Sequence, residues 1–188
     1  VTGTCRPAAE PLLAPISRRE CVWWSWSLQR HSREAAQGER TWHERGGAAS
    51  TSPFVMENAT SRVQVDPRGA SVQARTMTLD ADALAQLTVG QLSRGPDVVE
   101  RPSKDTPVAR ERPIADLEGR WRVVETIVPV DSEVWASGTT GELPPSGDGT
   151  VLRGVERFPL LISTDGVGGG TRQLSSVAAW GGGIGVIS

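Results

Sequence analysis

The residues with the most reactive side chains are two cysteines and two histidines, Cys5, Cys21, His31 and His43. Four such side chains could bind one zinc ion, because thiolate sulfur and imidazole nitrogen are its usual ligands. Structural zinc sites bring their cysteines as close pairs, whereas fifteen residues separate these two. The spacing therefore favours buried thiols and surface imidazoles over a metal site.

Nucleophilic catalysis would require Cys21 beside a histidine and a carboxylate. No local sequence signature indicates such a group around His31 or His43. One disulfide between Cys5 and Cys21 is compatible with the composition, but buried reduced thiols on strands are the preferred interpretation. The sequence thus predicts no catalytic residue, no cofactor and no metal.

Trp23 is the candidate interaction residue, together with Arg18 and Arg19. On a sheet with one solvated face, an exposed Trp beside two guanidinium groups could stack on a base, a lipid headgroup or a partner peptide. The alternative is that a second layer of structure covers the indole.

The strand that carries Trp23 is predicted to be the centre of a sheet. From Cys21 onward the side chains alternate between two faces, with Trp23 and Cys21 on the polar one. The apolar face holds Val22, Trp24, Trp26 and Leu28. Each buried indole would remove up to about 200 Å² from water, which is a large stabilising contribution.

Other β patterns are separated by turn residues. Strands are predicted at residues 1–6, 53–56, 62–66, 118–128, 133–138 and 159–163. Strand 118–128 places Trp121, Val123, Glu125 and Ile127 on one face, and strand 133–138 is expected to be its antiparallel partner. Residues 46–52 are predicted to form a loop, and Trp42 is expected to cover the face that carries Trp24.

One helix is predicted over residues 80–92, with Asp80 as its N-cap. The fold class is therefore mainly β (α+β): a small β-barrel or sandwich, OB-like, with one α-helix and a C-terminal apolar segment. Residues 1–173 are interpreted as one β-rich domain.

Two segments of this chain are expected to differ from the domain. Residues 95–113 alternate prolines with charges of both signs, which predicts a mobile surface insertion. Trypsin should therefore cut there first, at Arg101, Lys104, Arg110 or Arg112. Residues 174–188 carry no charge. This run is shorter than the roughly twenty residues of a spanning helix, so it is either the truncated start of a membrane span or a flexible tail.

The formal net charge of the chain is −2. Electrostatic binding to nucleic acid or to an anionic membrane needs a clustered excess of Lys and Arg. The overall composition therefore gives no general reason to expect either partner.

Several motifs in a fixed order resemble the GIDE, or "beside a membrane", domain. They are GTCRPAAEPLLAPISRRECVWW at residues 3–24, Trp42, SPF at 52–54, RVQVDPRGA at 62–70 and EVWASG at 133–138. The most specific part combines residues 14–22 with the Val-Asp-Pro of residues 65–67. The chain departs from the family pattern at Asn58, Ser61 and Val130, which affects turn geometry.

The resemblance implies a non-catalytic domain that flanking helices hold beside a membrane, where it binds an unknown protein partner or senses a signal. In eukaryotes such domains occur in mitochondrial RING-type ubiquitin ligases, and similar stretches occur in prokaryotic membrane proteins. A ligase role would need a zinc-binding RING outside these residues, because two cysteines and two histidines cannot form its two sites. An OB-like nucleic-acid-binding module is a third hypothesis, which the near-neutral charge disfavours.

Overall fold

The computed structural model describes residues 1–32, 41–80, 87–93, 97–101, 112–142, 150–156 and 158–165. These residues form a mainly β fold with one short α-helix, as predicted. The strands are β1 (Thr2–Pro7), β2 (Leu12–Leu13), β3 (Glu20–Ser32), β4 (Thr41–Ser50), β5 (Phe54–Glu57), β6 (Arg62–Asp66), β7 (Ser71–Gln73), β8 (Arg75–Asp80), β9 (Val98–Arg101), β10 (Trp121–Pro129), β11 (Glu133–Ser137), β12 (Thr139–Glu142), β13 (Thr150–Arg153) and β14 (Leu161–Ser163). The helix is α1 (Val89–Leu92).

The chain divides into two compact units, each with its own sheet. The first unit comprises Val1–Glu10, Pro53–Ala74 and Val130–Ser188, and its sheet has the order β12-β13-β6-β5-β1-β11-β14-β7. The second unit comprises Pro11–Ser52 and Arg75–Pro129, and its sheet has the order β8-β10-β3-β4-β9, with β2 paired to β3. As far as the described residues show, both sheets are open rather than closed into a barrel.

β3 is the central strand of the second unit, as its alternation predicts. It pairs antiparallel with β10 and β4, and the indoles of Trp24 and Trp26 are buried in the core. The Trp26 Nε1–H donates to the carbonyl oxygen of Leu92 at 3.1 Å, which ties β3 to α1. The core of this unit is therefore organised around β3.

A bulge near the start of β3 changes the predicted alternation. The register with β10 shifts by one residue beside Val22, so that Pro129 lies opposite Cys21. The extra residue moves Cys21 to the side of the strand that carries Trp24. Cys21 accordingly packs in the core cluster, whereas Val22 is buried outside it. The prediction placed Val22 on the face of Trp24 and Cys21 on the other face. It is wrong about the faces of these two residues.

The predicted helix over residues 80–92 is wrong in its first part. Asp80 ends strand β8 and lies opposite Arg122 of β10. The preceding residues alternate threonine with larger apolar side chains, and β-branched threonine favours a strand. The helix begins only after the N-cap Thr88, whose hydroxyl and amide exchange hydrogen bonds with Gln91 in a capping box. Residues 81–86 lie outside the described residues.

Most of the predicted loop at residues 46–52 is strand. β4 extends to Ser50 and pairs with both β3 and β9 through its small residues. A Cβ atom on Gly47 would overlap the carbonyl oxygen of Trp26. The small side chains therefore allow close approach of backbones, rather than marking a turn.

Trp42 lies on the face of the sheet opposite Trp24, contrary to prediction. It pairs with His31, and the two ring centroids are 5.1 Å apart. The register between β3 and β4 shifts near Gly46, which has a φ of 138°. This bulge adds one residue to β4, so Trp42 moves to the other face of the sheet.

The sequence predicted that β11 pairs with β10, and this prediction is wrong. β10 pairs with β3 and β8, whereas β11 pairs with β1 and β14. The chain passes from the second unit to the first at Val130, which separates the two strands.

Part of the predicted insertion at residues 95–113 is a β-strand. β9 is an edge strand that pairs with β4. Residues 94–96, 102–111 and 166–188 lie outside the described residues, and so does the C-terminal apolar segment. Among the described residues, no helix combines the length and the apolar character needed to cross a membrane.

The first unit contains several predicted strands in the expected places. β5 and β6 form an antiparallel hairpin, in which Val63 and Val65 are buried. Asn58 shapes the turn, because its side-chain oxygen accepts the amides of Thr60 and Ser61 at 3.0 and 2.9 Å.

Candidate functional site

The two candidate arginines, Arg18 and Arg19, lie on a loop at residues 14–19. The amide of Ala14 donates to the carbonyl oxygen of Arg19 at 2.9 Å, and the amide of Arg18 donates to that of Ala14 at 3.1 Å. Arg18 has a φ of 56°, in the left-handed region that non-glycine residues rarely adopt. A loop with such a residue persists only where its surroundings fix it.

A buried carboxylate fixes this loop. Glu125 of β10 is 2% exposed, and its Oε1 and Oε2 accept the amides of Ile16 and Ser17 at 2.8 and 3.0 Å. A buried carboxylate needs hydrogen-bond partners, and the two amides supply one donor to each of its oxygens. Glu125 therefore anchors the loop to the sheet. Its sequence signal is a lone acidic residue on the apolar face of an alternating strand.

A cavity of about 130 Å³ opens beside this anchor, and we call it the loop cavity. Its lining includes Ser17 and Arg19 from the loop, Arg75 and Met77 from β8, and Glu125 and Ile127 from β10. Residues of both charge signs therefore line one small space, together with polar Ser17 and apolar Met77 and Ile127.

Cys21 lies close to the same carboxylate but is chemically inert. Burial raises the pKa of its thiol to about 12, with a further contribution from the negative charge of Glu125. Its Sγ–H donates to the carbonyl oxygen of Leu12 at 3.6 Å. The thiol is protonated at neutral pH and is a weak nucleophile.

Cys5 is also buried, and burial raises the pKa of its thiol. Neither cysteine is part of a disulfide bond. The interpretation as buried reduced thiols is therefore confirmed.

Trp23, the third candidate interaction residue, is buried with 5% of its surface exposed. It lies opposite Val128, which is also buried. Its Nε1 has no hydrogen-bond partner among the described residues. Arg18 and Arg19 are exposed, whereas the indole of Trp23 is buried.

A second polar group, the Trp42 cluster, consists of Gln29, His31, Trp42 and Arg122. The guanidinium carbon of Arg122 lies 4.2 Å from the centroid of the Trp42 ring. The Arg122 Nε donates to the side-chain oxygen of Gln29 at 2.8 Å. Such cation–π contacts contribute about 0.5–1 kcal/mol near a surface. The sequence did not identify this cluster, because the β4 bulge decides the face on which Trp42 lies.

The histidines make contacts other than metal ligation. His43 shares a hydrogen bond of 3.2 Å with the hydroxyl of Thr41, and His31 packs on Trp42. Within the part of the chain that the structure describes, no group of three His, Cys, Asp or Glu side chains could hold a metal ion.

The fold and this site define a mainly β protein with an arginine-bearing loop fixed above a buried carboxylate. In comparisons with known proteins, no family model, curated protein or solved structure matches the chain. What the loop can bind is therefore inferred from its own chemistry.

Proposed function

We propose that this chain is a non-catalytic interaction or sensing domain of a membrane protein and is held beside the bilayer. The observation that carries the interaction role is the anchoring of the loop by Glu125 through the amides of Ile16 and Ser17. A loop that is already fixed loses little conformational entropy when a ligand binds. Arg18 and Arg19 add charge-assisted donors at its surface.

The membrane role is supported by the sequence. The GIDE-like motifs span most of the chain, and the uncharged run at residues 174–188 follows Arg172 by one residue. A basic residue beside an apolar segment is typical of the boundary of a membrane span. Flanking helices would place the sheet units in the adjacent aqueous phase.

Membrane pelleting tests this proposal. The chain would be expressed with residues 174–188 and the residues encoded after them, and separately without residues 174–188 and those that follow; membranes would be separated by ultracentrifugation. We expect the full chain in the pellet after a high-salt wash, and the shortened chain in the supernatant. Equal recovery of both in the supernatant would refute the membrane role.

Nucleic-acid binding is a second candidate, favoured by the Trp42 cluster. A guanidinium group held beside an indole is a common element of single-strand binding sites. A labelled oligonucleotide should then bind the wild-type chain and lose affinity with rising salt. The variant Arg122→Gln should bind more weakly, and equal binding by both proteins would exclude this role for the cluster.

A further inference from the structure

We propose that the loop cavity binds a small α-amino acid, with its carboxylate between Arg19 and Arg75 and its ammonium group facing Glu125. This inference deepens the sensing role and rests on it, because it names what the anchored loop would recognise. It is argued from the unpaired groups of the cavity, its charges and its size.

The cationic side of the cavity calls for an anionic group. Among the described residues, neither Arg19 nor Arg75 forms an ion pair, unlike Arg6, Arg62, Arg68 and Arg101. Guanidinium groups bind carboxylates strongly, because their paired N–H donors match the two oxygens. A carboxylate between these two arginines would also offset their mutual repulsion.

The hydroxyl of Ser17 indicates the same requirement. Its Oγ is buried and has no hydrogen-bond partner among the described residues. A buried hydroxyl without a partner is unfavourable, and Ser17 lines the cavity. A bound ligand atom would give this hydroxyl the partner it lacks.

The acidic side of the cavity calls for a donor group. A carboxylate can accept about four hydrogen bonds, and each oxygen of Glu125 accepts one from the loop. An ammonium group in the cavity would use the remaining capacity. An isolated anion would instead be repelled by the buried negative charge.

The size of the cavity limits the ligand. A volume of about 130 Å³ accommodates only a few heavy atoms, and Met77 and Ile127 provide apolar walls. An α-amino acid carries its ammonium and carboxylate groups on one carbon atom and adds a small side chain. This class therefore matches the charges, the walls and the volume together.

Binding to the isolated full chain can be followed from the amide resonances of Ile16 and Ser17 by NMR. L-Alanine should shift both resonances saturably, whereas acetate and methylamine, which each carry one of the two charges, should bind at least about tenfold more weakly. Acetate binding as tightly as L-alanine would overturn the proposal. The absence of saturable shifts with L-alanine at concentrations up to roughly 10 mM would also overturn it, because a dissociation constant above that value corresponds to very weak binding.

Matched variants locate the site. Arg75→Gln should weaken L-alanine binding about tenfold or more, whereas Arg120→Gln, an exposed arginine outside the cavity, should leave it unchanged. Ser17→Ala should also bind more weakly, without a lower melting temperature of the free protein. Unchanged affinity in Arg75→Gln and Ser17→Ala would overturn the inference. Because this assay needs no membrane, it can fail while the pelleting experiment succeeds.

Discussion

At the scale of single residues, Glu125 is the group on which the loop depends. We predict that Glu125→Ala lowers the free energy of unfolding by about 2–4 kcal/mol, because it leaves the partly buried amides of Ile16 and Ser17 without acceptors. Urea unfolding measures the loss. Amide hydrogen exchange at the same two residues should become faster.

The matched control is Glu118→Ala, which removes an exposed carboxylate. Its free energy of unfolding should stay within about 0.5 kcal/mol of the wild type. If Glu125→Ala also stayed within that range, the carboxylate would not anchor the loop.

Asp66 should make stability depend on pH in acid. The side chain of Arg68 hydrogen-bonds to its carboxylate, with a shortest distance of 2.6 Å, and this lowers the pKa of Asp66. A carboxyl group with a lowered folded-state pKa stabilises the fold fully above its unfolded pKa of about 3.9. That stabilisation is lost as the pH falls through the folded-state pKa.

The measurement compares urea midpoints of the wild type and Asp66→Asn between pH 7 and pH 2. We expect a constant difference at neutral pH that shrinks below about pH 4. Arg68→Gln should give the same profile. A difference that persists unchanged at pH 2 would show that the ion pair is not its cause.

At the scale of elements, β3 carries two buried indoles with different hydrogen bonding. Trp26 donates to Leu92, whereas Trp23 has no partner among the described residues. We predict that Trp26→Phe costs about 1–3 kcal/mol more than Trp23→Phe, because only the former leaves a buried carbonyl oxygen unpaired. Urea midpoints at constant slope decide this, and equal costs would contradict it.

The middle of β4 should not tolerate a side chain at Gly47. We predict that Gly47→Ala costs about 1–3 kcal/mol, because the new methyl group would push β4 away from β3 at Trp26. Gly141→Ala in β12 is the control, since its nearest neighbours would lie at 3.6 Å or more. Thermal unfolding of both variants tests the difference, and similar melting temperatures would contradict it.

Alternation in the sequence predicted elements well but failed where a bulge intervened. The burial of Trp24 and Trp26 and the strand at β6 follow directly from a period of two. The faces of Cys21 and Trp42 do not, because one extra residue in β3 or β4 reverses every side chain beyond it. Glu125 could be noticed as an acidic residue on an apolar face, but its partners come from backbone amides of a distant loop, which no side-chain pattern reveals.

At the scale of the whole molecule, the core cluster of the second unit lies entirely within that unit. We predict that a chain with residues 11–52 and 75–129 joined by a flexible linker of about ten residues folds without the first unit. Cooperative urea unfolding and protected Trp26 indole exchange would support this. A non-cooperative transition would show that the second unit cannot fold alone.

The sequence did not predict the division of the chain into two units. Each sheet is assembled from segments far apart in the chain, and turn residues do not specify which strands pair. The sequence therefore predicted the next strand, β11, as the partner of β10, whereas the chain crosses to the other unit at Val130.

The pairing of β1 with β11 has a consequence for the synthesis of this protein. Thr2 lies opposite Trp135, so one edge of β1 lacks its neighbour until the ribosome has added more than a hundred further residues. At roughly 5–20 residues per second, this interval is on the order of ten seconds. An unpaired strand edge can join other chains in that time. Nascent chains should therefore depend on chaperones that shield β1, and their yield should fall when translation is slowed between β5 and β11.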